Sequence, residues 1–144
     1  MRKLIVMPIT SNTSPVIALA NIRRLKLLKD LYGVILISPF VKVESVDKGK
    51  GLGAPDALEI ERAISEGWIK VTELTRRQNQ TMQRLVGEAR IGFGEAGALA
   101  LAKDKNIPVI LDDKEARALA KGWGLERTST VMVLYEAFVK NLIS

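Results

Sequence analysis

The chain has 144 residues, a length that suits one domain with a single core, and its apolar fraction of 47% excludes a disordered protein. It carries 22 lysine and arginine residues against 16 aspartate and glutamate residues, a formal charge of +6. This charge favours an anionic partner, with nucleic acid the first candidate and a solvated basic surface the alternative. Cysteine and histidine are both absent, which excludes disulfides, thiol nucleophiles and imidazole bases.

The first residues have the order of a signal peptide, because a basic start precedes an apolar run. Pro8 and the polar run 10–14 interrupt that run too early for a signal peptide, so we expect a mature cytoplasmic protein. No apolar run reaches the length that spans a membrane. We therefore expect no membrane association.

The first quarter of the chain begins an alternation of strands and helices. The apolar run 4–9 predicts a central strand, although the proline within it argues against that assignment. Ser14, followed by a proline, predicts the start of a helix. An amphipathic pattern over 22–32 predicts a second helix that ends at Gly33.

The alternation continues with a predicted strand over 34–37 and a helix that starts at Ser38 and contains Glu44. The glycine-rich segment 47–56 predicts the one flexible loop. Its glycines lack the spacing of a nucleotide-phosphate loop, which excludes that function. Lys48 and Lys50 make it either a mobile basic lid or, as we favour, a plain solvent loop.

A helix over 57–66 and a strand over 68–71 follow, and then a polar helix is predicted over 76–86. The polar helix has few apolar anchors, so we expect it to be the most weakly packed. It is either a surface for RNA or a cover for the edge of the fold. Its basic residues include Arg76, Arg77 and Arg84.

The stretch 92–104 is apolar almost all round and predicts a buried helix, which a short buried strand over 107–111 follows. A helix of about ten residues rises roughly 15 Å, and the returning strand covers about the same distance. The start of the helix and the end of the strand should therefore meet. This brings Glu95 near Asp112 and Asp113.

The chain closes with a helix over 114–121, a strand over 125–127 and an amphipathic helix over 131–143 capped by Thr130. Four or five short strands joined by helices predict an α/β sandwich with a mostly parallel sheet. The carboxyl ends of parallel strands share one edge, where ligands bind.

That edge gathers oxygen ligands from distant parts of the chain, namely Asn12, Glu44, Glu95, Asp112 and Asp113. Clustered carboxylates repel each other unless a cation neutralises them, and Mg²⁺ or Mn²⁺ suits these ligands. Each residue alone also has an ordinary structural role. Glu95 suits the first turn of a helix, Asn12 a turn and Glu44 a surface.

The two aspartates differ in their expected roles. Asp112 and Glu115 have the spacing of a capping box, which predicts a structural role for one aspartate. Asp113 is then the better candidate for a metal ligand.

The segments 11–19, 39–44, 94–96, 111–117 and 128–130, in that order, resemble a PIN domain over nearly the whole chain. The resemblance implies an α/β/α sandwich with a parallel sheet and a divalent-metal ribonuclease centre. Such proteins are often dimeric and often the toxin of a toxin–antitoxin pair. The resemblance therefore implies RNA, an antitoxin protein and a second copy as partners. The Asn-Thr-Ser-Pro start over 12–15 is similar to one branch of the family.

By this resemblance, Asn12 takes the first acidic position, Glu44 the second, and Glu95 the third. Asp113, or Asp112, takes the fourth. Supporting hydroxyls are provided by Ser14 and Thr130. Asn12 departs from the pattern, which has aspartate there, because an amide oxygen binds Mg²⁺ without bringing negative charge or acting as a base.

Two hypotheses follow. In the first, a metal-dependent ribonuclease holds one or two ions through Glu44, Glu95 and Asp113, while Asn12 orients a water. In the second, the same fold binds RNA or a protein without cutting, through basic residues that include Arg76, Arg77, Arg84, Lys48 and Lys50. A phosphotransfer receiver domain ranks last, because its paired acids should follow the first strand.

Overall fold

The computed structural model describes residues 8–144 and has a five-stranded sheet at its centre. The strands are β1 (Ile9–Ser11), β2 (Ile35–Ile37), β3 (Ile69–Val71), β4 (Val109–Ile110) and β5 (Arg127–Thr128). They pair in the order β3-β2-β1-β4-β5, and every pair is parallel. The predicted α/β sandwich with a mostly parallel sheet is confirmed.

Helices connect these strands. They are α1 (Thr13–Asn21), α2 (Lys26–Tyr32), α3 (Pro39–Lys42), a π-helical turn (Val43–Asp47), α4 (Lys48–Gly51), α5 (Pro55–Glu66), α6 (Arg76–Ala89), α7 (Phe93–Lys105), α8 (Lys114–Gly122) and α9 (Thr130–Val139). Within residues 8–144 we find no helix with the length and hydropathy that crossing a bilayer requires.

The apolar core lies on both faces of the sheet. One cluster packs α1, α2, α5 and α9 against the strands and includes Leu19, Ile60 and Val133. The other packs α6, α7 and α8 and includes Met82 and Leu99. Burying each large aliphatic side chain contributes about 1.5–3 kcal/mol, so both helical layers stabilise the sheet.

Helix α7 is buried along most of its length, as its sequence predicted. Small residues allow it to lie close to its neighbours, and a methyl group added to Gly97 would lie 3.2 Å from Ser38 Oγ. Thr10 Oγ1 of β1 donates to the carbonyl oxygen of Ala98 at 3.0 Å, which ties the middle of α7 to the central strand. This packing fixes the position of the first turn of α7 at the carboxyl edge of the sheet.

The first strand and helix differ from the prediction. β1 begins at Ile9, directly after Pro8, while residues 4–7 of the predicted strand lie outside the described residues. Asn12, not Ser14, is the N-cap of α1, because Asn12 Oδ1 accepts a hydrogen bond from Thr13 N at 2.6 Å. The proline is therefore the third helical residue.

The segment predicted as a flexible loop is mostly helical. The helix that begins after Ser38 continues through the π-helical turn and α4, so that only 52–54 separate it from α5. Gly49 packs against α5, since an added methyl group would lie 2.7 Å from Ala57 Cβ. A glycine that permits close helix packing was interpreted as a mark of flexibility, so the predicted loop is wrong.

Helix α6 is better packed than its polar sequence predicted. Met82 and Leu85 are buried against the α7 layer, and Gln78 Nε2 donates to Asp104 Oδ2 at 2.7 Å. Gln78 also closes a capping box with Thr75. A buried glutamine with two partners anchors the helix, which a count of apolar residues does not detect.

The C-terminal helix also begins and ends differently. Ser129, not Thr130, is its N-cap, and Ser129 Oγ accepts from Met132 N at 3.2 Å. The helix ends at Val139, short of the predicted 143, and Asn141 adopts a left-handed φ of 60°. The last strand, predicted over 125–127, begins two residues later and ends one residue later, at Arg127–Thr128.

Tyr32 connects α2 to α9, and its ionisation lowers the stability of the fold at alkaline pH. Its hydroxyl donates to Glu136 Oε2 at 3.3 Å. Burial, and then the charge and hydrogen bond of Glu136, raise the pKa of Tyr32 well above its usual value. Because the folded-state pKa exceeds the unfolded value of about 10, this stabilisation is complete below pH 10 and is lost as the pH rises through the folded-state pKa.

We predict that the stability of Tyr32→Phe declines less steeply above about pH 10 than that of the wild type. The reason is that phenylalanine has no hydroxyl proton to lose at this position. Urea unfolding at pH 8 and at several values above pH 10 measures the effect. Tyr135→Phe is the matched control, since the side chain of Tyr135 is 61% exposed on α9. Identical alkaline profiles of wild type and Tyr32→Phe would contradict the prediction.

Candidate functional site

Three predicted site residues line one pocket at the carboxyl edge of the sheet. Asn12 follows β1, Glu44 lies in the π-helical turn after β2, and Glu95 lies in the first turn of α7. All three border a cavity of about 500 Å³. The cavity is also lined by Thr13, Ser14, Ile17, Ala18 and Asn21. Ser14, predicted as a supporting hydroxyl, is therefore at the pocket.

Asn12 is 4% exposed and is held from both sides. Its side-chain oxygen accepts from Thr13 N as the cap of α1, and its backbone N–H donates to the carbonyl oxygen of Ile110 in β4. These contacts give Asn12 a structural role that does not depend on a ligand. The same side-chain oxygen lies beside Gly94, as does Glu44 Oε1.

Glu44 has an exposed carboxylate, and its Oε1 accepts from Thr13 Oγ1 at 3.2 Å. The π-helical turn positions it, with Val41 and Val46 buried on the other side of the segment. Such turns are frequent at functional sites, because the inserted residue changes the direction of the side chains that follow.

Gly94 brings these oxygen atoms together. A methyl group added to Gly94 would lie 2.8 Å from Asn12 Oδ1, 2.9 Å from Glu44 Oε1 and 3.4 Å from Thr13 Oγ1. The space that a side chain would fill is therefore bordered by an amide, a carboxylate and a hydroxyl oxygen. The roles of Gly94 and Thr13 were not predicted from the sequence, although a glycine directly before an acidic residue in the first turn of a helix is a usable signal.

Glu95 is half-buried and turns back over the start of α7. Its Oε2 would lie 2.6 Å from a methyl group added to Gly92, the N-cap of the helix. A carboxylate at this position is stabilised by the helix dipole, typically by about 0.3–1 kcal/mol. Glu95 thus combines a helix-stabilising position with a place on the pocket wall.

The two aspartates after β4 are exposed and are bound to neighbouring helices instead of the pocket. Asp112 Oδ1 accepts from Thr130 N at 2.8 Å, and Asp112 Oδ2 accepts from Thr130 Oγ1. Asp113 Oδ2 accepts from Ala116 N at 2.9 Å and caps α8. The expected capping box of Asp112 with Glu115 is wrong, because α8 starts one residue later than that spacing requires.

Arg117 is a further residue that the sequence analysis missed. Its guanidinium donates to the carbonyl oxygens of Leu111 at 3.0 Å and Thr128 at 2.9 Å. These bonds join the chain just after β4 to the end of β5. They hold the segment that carries both aspartates.

The predicted nucleic-acid contacts lie on more than one surface. Arg77 and Arg84 line a groove of about 510 Å³ between α6 and α7, with Lys103, while Arg76 is exposed nearby at the start of α6. Lys103 follows Glu95 by eight residues, about 12 Å along the helix. The groove is therefore separate from the acidic pocket.

The two lysines of the predicted loop differ in their contacts. Lys50 Nζ forms an ion pair with Glu61 at 2.9 Å, and this hydrogen bond raises the pKa of Lys50. Lys48 lines an apolar cavity that Glu44 also borders. Of these two lysines, only Lys48 thus lies next to the acidic pocket.

The fit of a divalent cation rests on the donors around Gly94. Among residues 8–144 no three acidic side chains lie close enough together to hold a metal ion, so Glu44, Glu95 and Asp113 do not form the expected three-carboxylate group. The pocket instead offers the carboxylates of Glu44 and Glu95, together with two amide and two hydroxyl side chains, namely Asn12, Asn21, Thr13 and Ser14. Mg²⁺ commonly binds through one or two carboxylates and keeps several waters, so this donor set fits a hydrated hard cation.

Known structures share this fold. PAE2754 from Pyrobaculum aerophilum matches with a TM-score of 0.64 and 18% identity, covering 94% of this chain and 99% of its own. VapBC2 from Rickettsia felis, solved with promoter DNA, matches with a TM-score of 0.58 and 13% identity over 85% and 98% of the two chains. VapC20 of Mycobacterium tuberculosis, described as a sarcin–ricin loop cleaving toxin, matches with a TM-score of 0.57 and 23% identity over 77% and 94%.

The sequence itself identifies the family. No curated protein matches it. The family model of the PIN domain, DUF3368, matches residues 8–144, which is the whole described part of the chain. The resemblance drawn from the residues is therefore confirmed, and the chain belongs to the PIN-domain family.

Proposed function

We propose that this PIN domain is a divalent-metal-dependent endoribonuclease and the toxin of a toxin–antitoxin pair. The observation that carries the proposal is the convergence of Asn12, Glu44 and Glu95 on one pocket, in a chain of charge +6. Family membership supports a nuclease. The likeness in fold to a toxin described as cleaving the sarcin–ricin loop supports RNA as the substrate.

In this proposal Glu44, Glu95 and the amide oxygen of Asn12 would hold Mg²⁺ or Mn²⁺. A bound divalent cation supplies positive charge for the developing phosphodiester anion and acidifies water. Asn12 orients ligands without adding charge. Because the chain contains no histidine and an amide cannot take a proton, the carboxylates of Glu44 and Glu95 are the proton acceptors of the pocket.

Asp113, or Asp112, is the proposed fourth acidic residue. The register pairs Ser11 with Ile110, so both aspartates follow closely on the strand next to Asn12. To act as a ligand, either carboxylate would share an oxygen that already accepts from Ala116 N or from Thr130. Thr130 is then a positioning residue for Asp112.

Two proteins are proposed as partners. An antitoxin is supported by the likeness in fold to VapBC2. A second copy of the chain, forming a homodimer, remains a prediction from the family resemblance.

We predict that Glu95→Gln lowers RNA cleavage about 100-fold or more, because the amide keeps the side chain's size but removes its charge. Cleavage of mixed RNA with Mg²⁺ or Mn²⁺, and with EDTA as the metal-free blank, measures the effect. Glu59→Gln on the exposed side of α5 is the matched control and should cleave like wild type. Equal cleavage by the wild type and Glu95→Gln would end the nuclease proposal.

Gly94→Ala tests the pocket without changing any donor. Its methyl group would displace Asn12 Oδ1 and Glu44 Oε1, so we predict at least tenfold weaker Mn²⁺ binding, measured by calorimetry. Gly87→Ala in α6 is the matched control, because its methyl group meets nothing within 4 Å and should stabilise the helix by about 0.5–1 kcal/mol. Unchanged Mn²⁺ affinity in a folded Gly94→Ala protein would show that ions bind elsewhere.

A binding module that does not cut RNA is the second candidate. It is favoured by two observations, the uncharged Asn12 and the lack of a three-acid group among the described residues. In that function the basic groove between α6 and α7 binds the phosphates of the RNA. Binding of RNA with no cleavage at any divalent concentration would support it.

We predict that changing Arg76, Arg77 and Arg84 together to alanine weakens RNA binding and lowers the salt slope of the affinity by about 2, since each single-strand phosphate contact contributes roughly 0.7. Fluorescence anisotropy at KCl concentrations between about 50 and 200 mM measures both effects. Changing Lys26, Lys29 and Lys121 instead is the charge-matched control. If both triple variants bind RNA alike, the groove is not the RNA surface.

A further inference from the structure

Two aromatic rings stand at the surface next to the acidic pocket. The rings of Phe40 and Phe93 stack, with their centroids 5.2 Å apart and their planes inclined by 16°. They are still 39% and 48% exposed. The chain has three phenylalanines, so it places two of them at this surface and neither in its core.

The stacked pair lies close in sequence to the two pocket carboxylates. Phe40 in α3 precedes Glu44 by four residues, which is about one helical turn. Phe93 is the first residue of α7 and precedes Glu95 by two. The pair therefore contacts across the same gap that the acidic pocket spans.

The rings border an apolar cavity of about 480 Å³, which we call the aromatic shelf. Its other lining residues are Pro39, Val43, Glu44 and Lys48. Glu44 also lines the acidic pocket, so the two cavities meet at that side chain. A ligand on the shelf would thus extend from the acidic site.

Lys48 gives the shelf one positive charge. The neighbouring lysines are neutralised, Lys42 by Asp47 at 2.8 Å and Lys50 by Glu61 at 2.9 Å. Lys48 forms no ion pair with any described residue. A planar apolar surface with a single free cation matches a nucleobase and its phosphate.

We infer that the aromatic shelf binds one unpaired base of the RNA substrate, which stacks on the Phe40–Phe93 pair while Lys48 contacts an adjacent phosphate. This inference rests on the proposed ribonuclease function and adds a subsite to it. The shelf positions the strand, and the neighbouring phosphodiester then reaches the pocket of Asn12, Glu44 and Glu95. Stacking tolerates any base but requires an unstacked one, so the substrate is single-stranded RNA or a loop.

The test uses short single-stranded oligoribonucleotides in which one abasic position is moved along the chain. The wild type should lose about tenfold or more in affinity when the abasic position meets the shelf. Phe40→Ala and Phe93→Ala should each bind intact RNA about tenfold more weakly and should no longer respond to that abasic position. Phe138→Ala, whose ring is 58% exposed on α9, is the matched control and should behave like the wild type.

Cleavage kinetics separate positioning from a general loss of structure. A stacking contact made equally before and during the reaction raises KM and leaves kcat nearly unchanged, and we expect this for Phe40→Ala. Phe93→Tyr should restore wild-type KM, because it keeps the ring. Thermal unfolding of each variant is the control for an intact fold.

The outcomes distinguish the two proposals. If Phe40→Ala and Phe93→Ala bind and cleave RNA like the wild type, the base subsite is overturned and the ribonuclease proposal stands. If these changes weaken only the binding of a co-purified antitoxin, the shelf holds a protein segment and the base subsite is again overturned. If the wild type neither binds nor cleaves RNA, both proposals fail.

Discussion

The close approach of α7 to the centre of the sheet is the constraint on which the site depends. It requires small residues where the helix backbone meets its neighbours, as at Gly97 against Ser38 and Gly94 against Asn12. Thr10 holds the same helix from β1 through a buried hydrogen bond. With a larger residue at Gly94, the amide and carboxylate oxygens could not approach that backbone. Packing and site geometry are therefore set by the same glycine.

Much of the layout follows from patterns that the sequence shows directly. Short apolar runs separated by helices imply a parallel sheet, and such a sheet brings the residues after its strands to one edge. This reasoning located Asn12, Glu44 and Glu95 on one wall, since each follows a strand or begins a helix there. The role of Gly94 depends on distances to other segments, which no local pattern contains.

The wrong predictions have a common physical origin. They relied on the local preferences of single residues, whereas tertiary contacts decide what these residues do. Gly49 looks like a flexible residue but lets α4 pack against α5. Gln78 looks like a surface residue but is buried with Asp104 as its partner. The predicted helix cap moved from Asp112 to Asp113 because α8 starts one residue later, since capping depends on the exact register of a helix start.

The π-helical turn at Val43–Asp47 divides the segment from Pro39 to Gly51 into two parts with different neighbours. Before it, Phe40 meets α7, and after it, Gly49 meets α5. Each α-helical residue rotates the chain by about 100°. Deleting one residue from the turn would therefore point every later side chain in a different direction. The length of this turn therefore couples the two halves of the segment, and a deletion within it would move Gly49 away from Ala57.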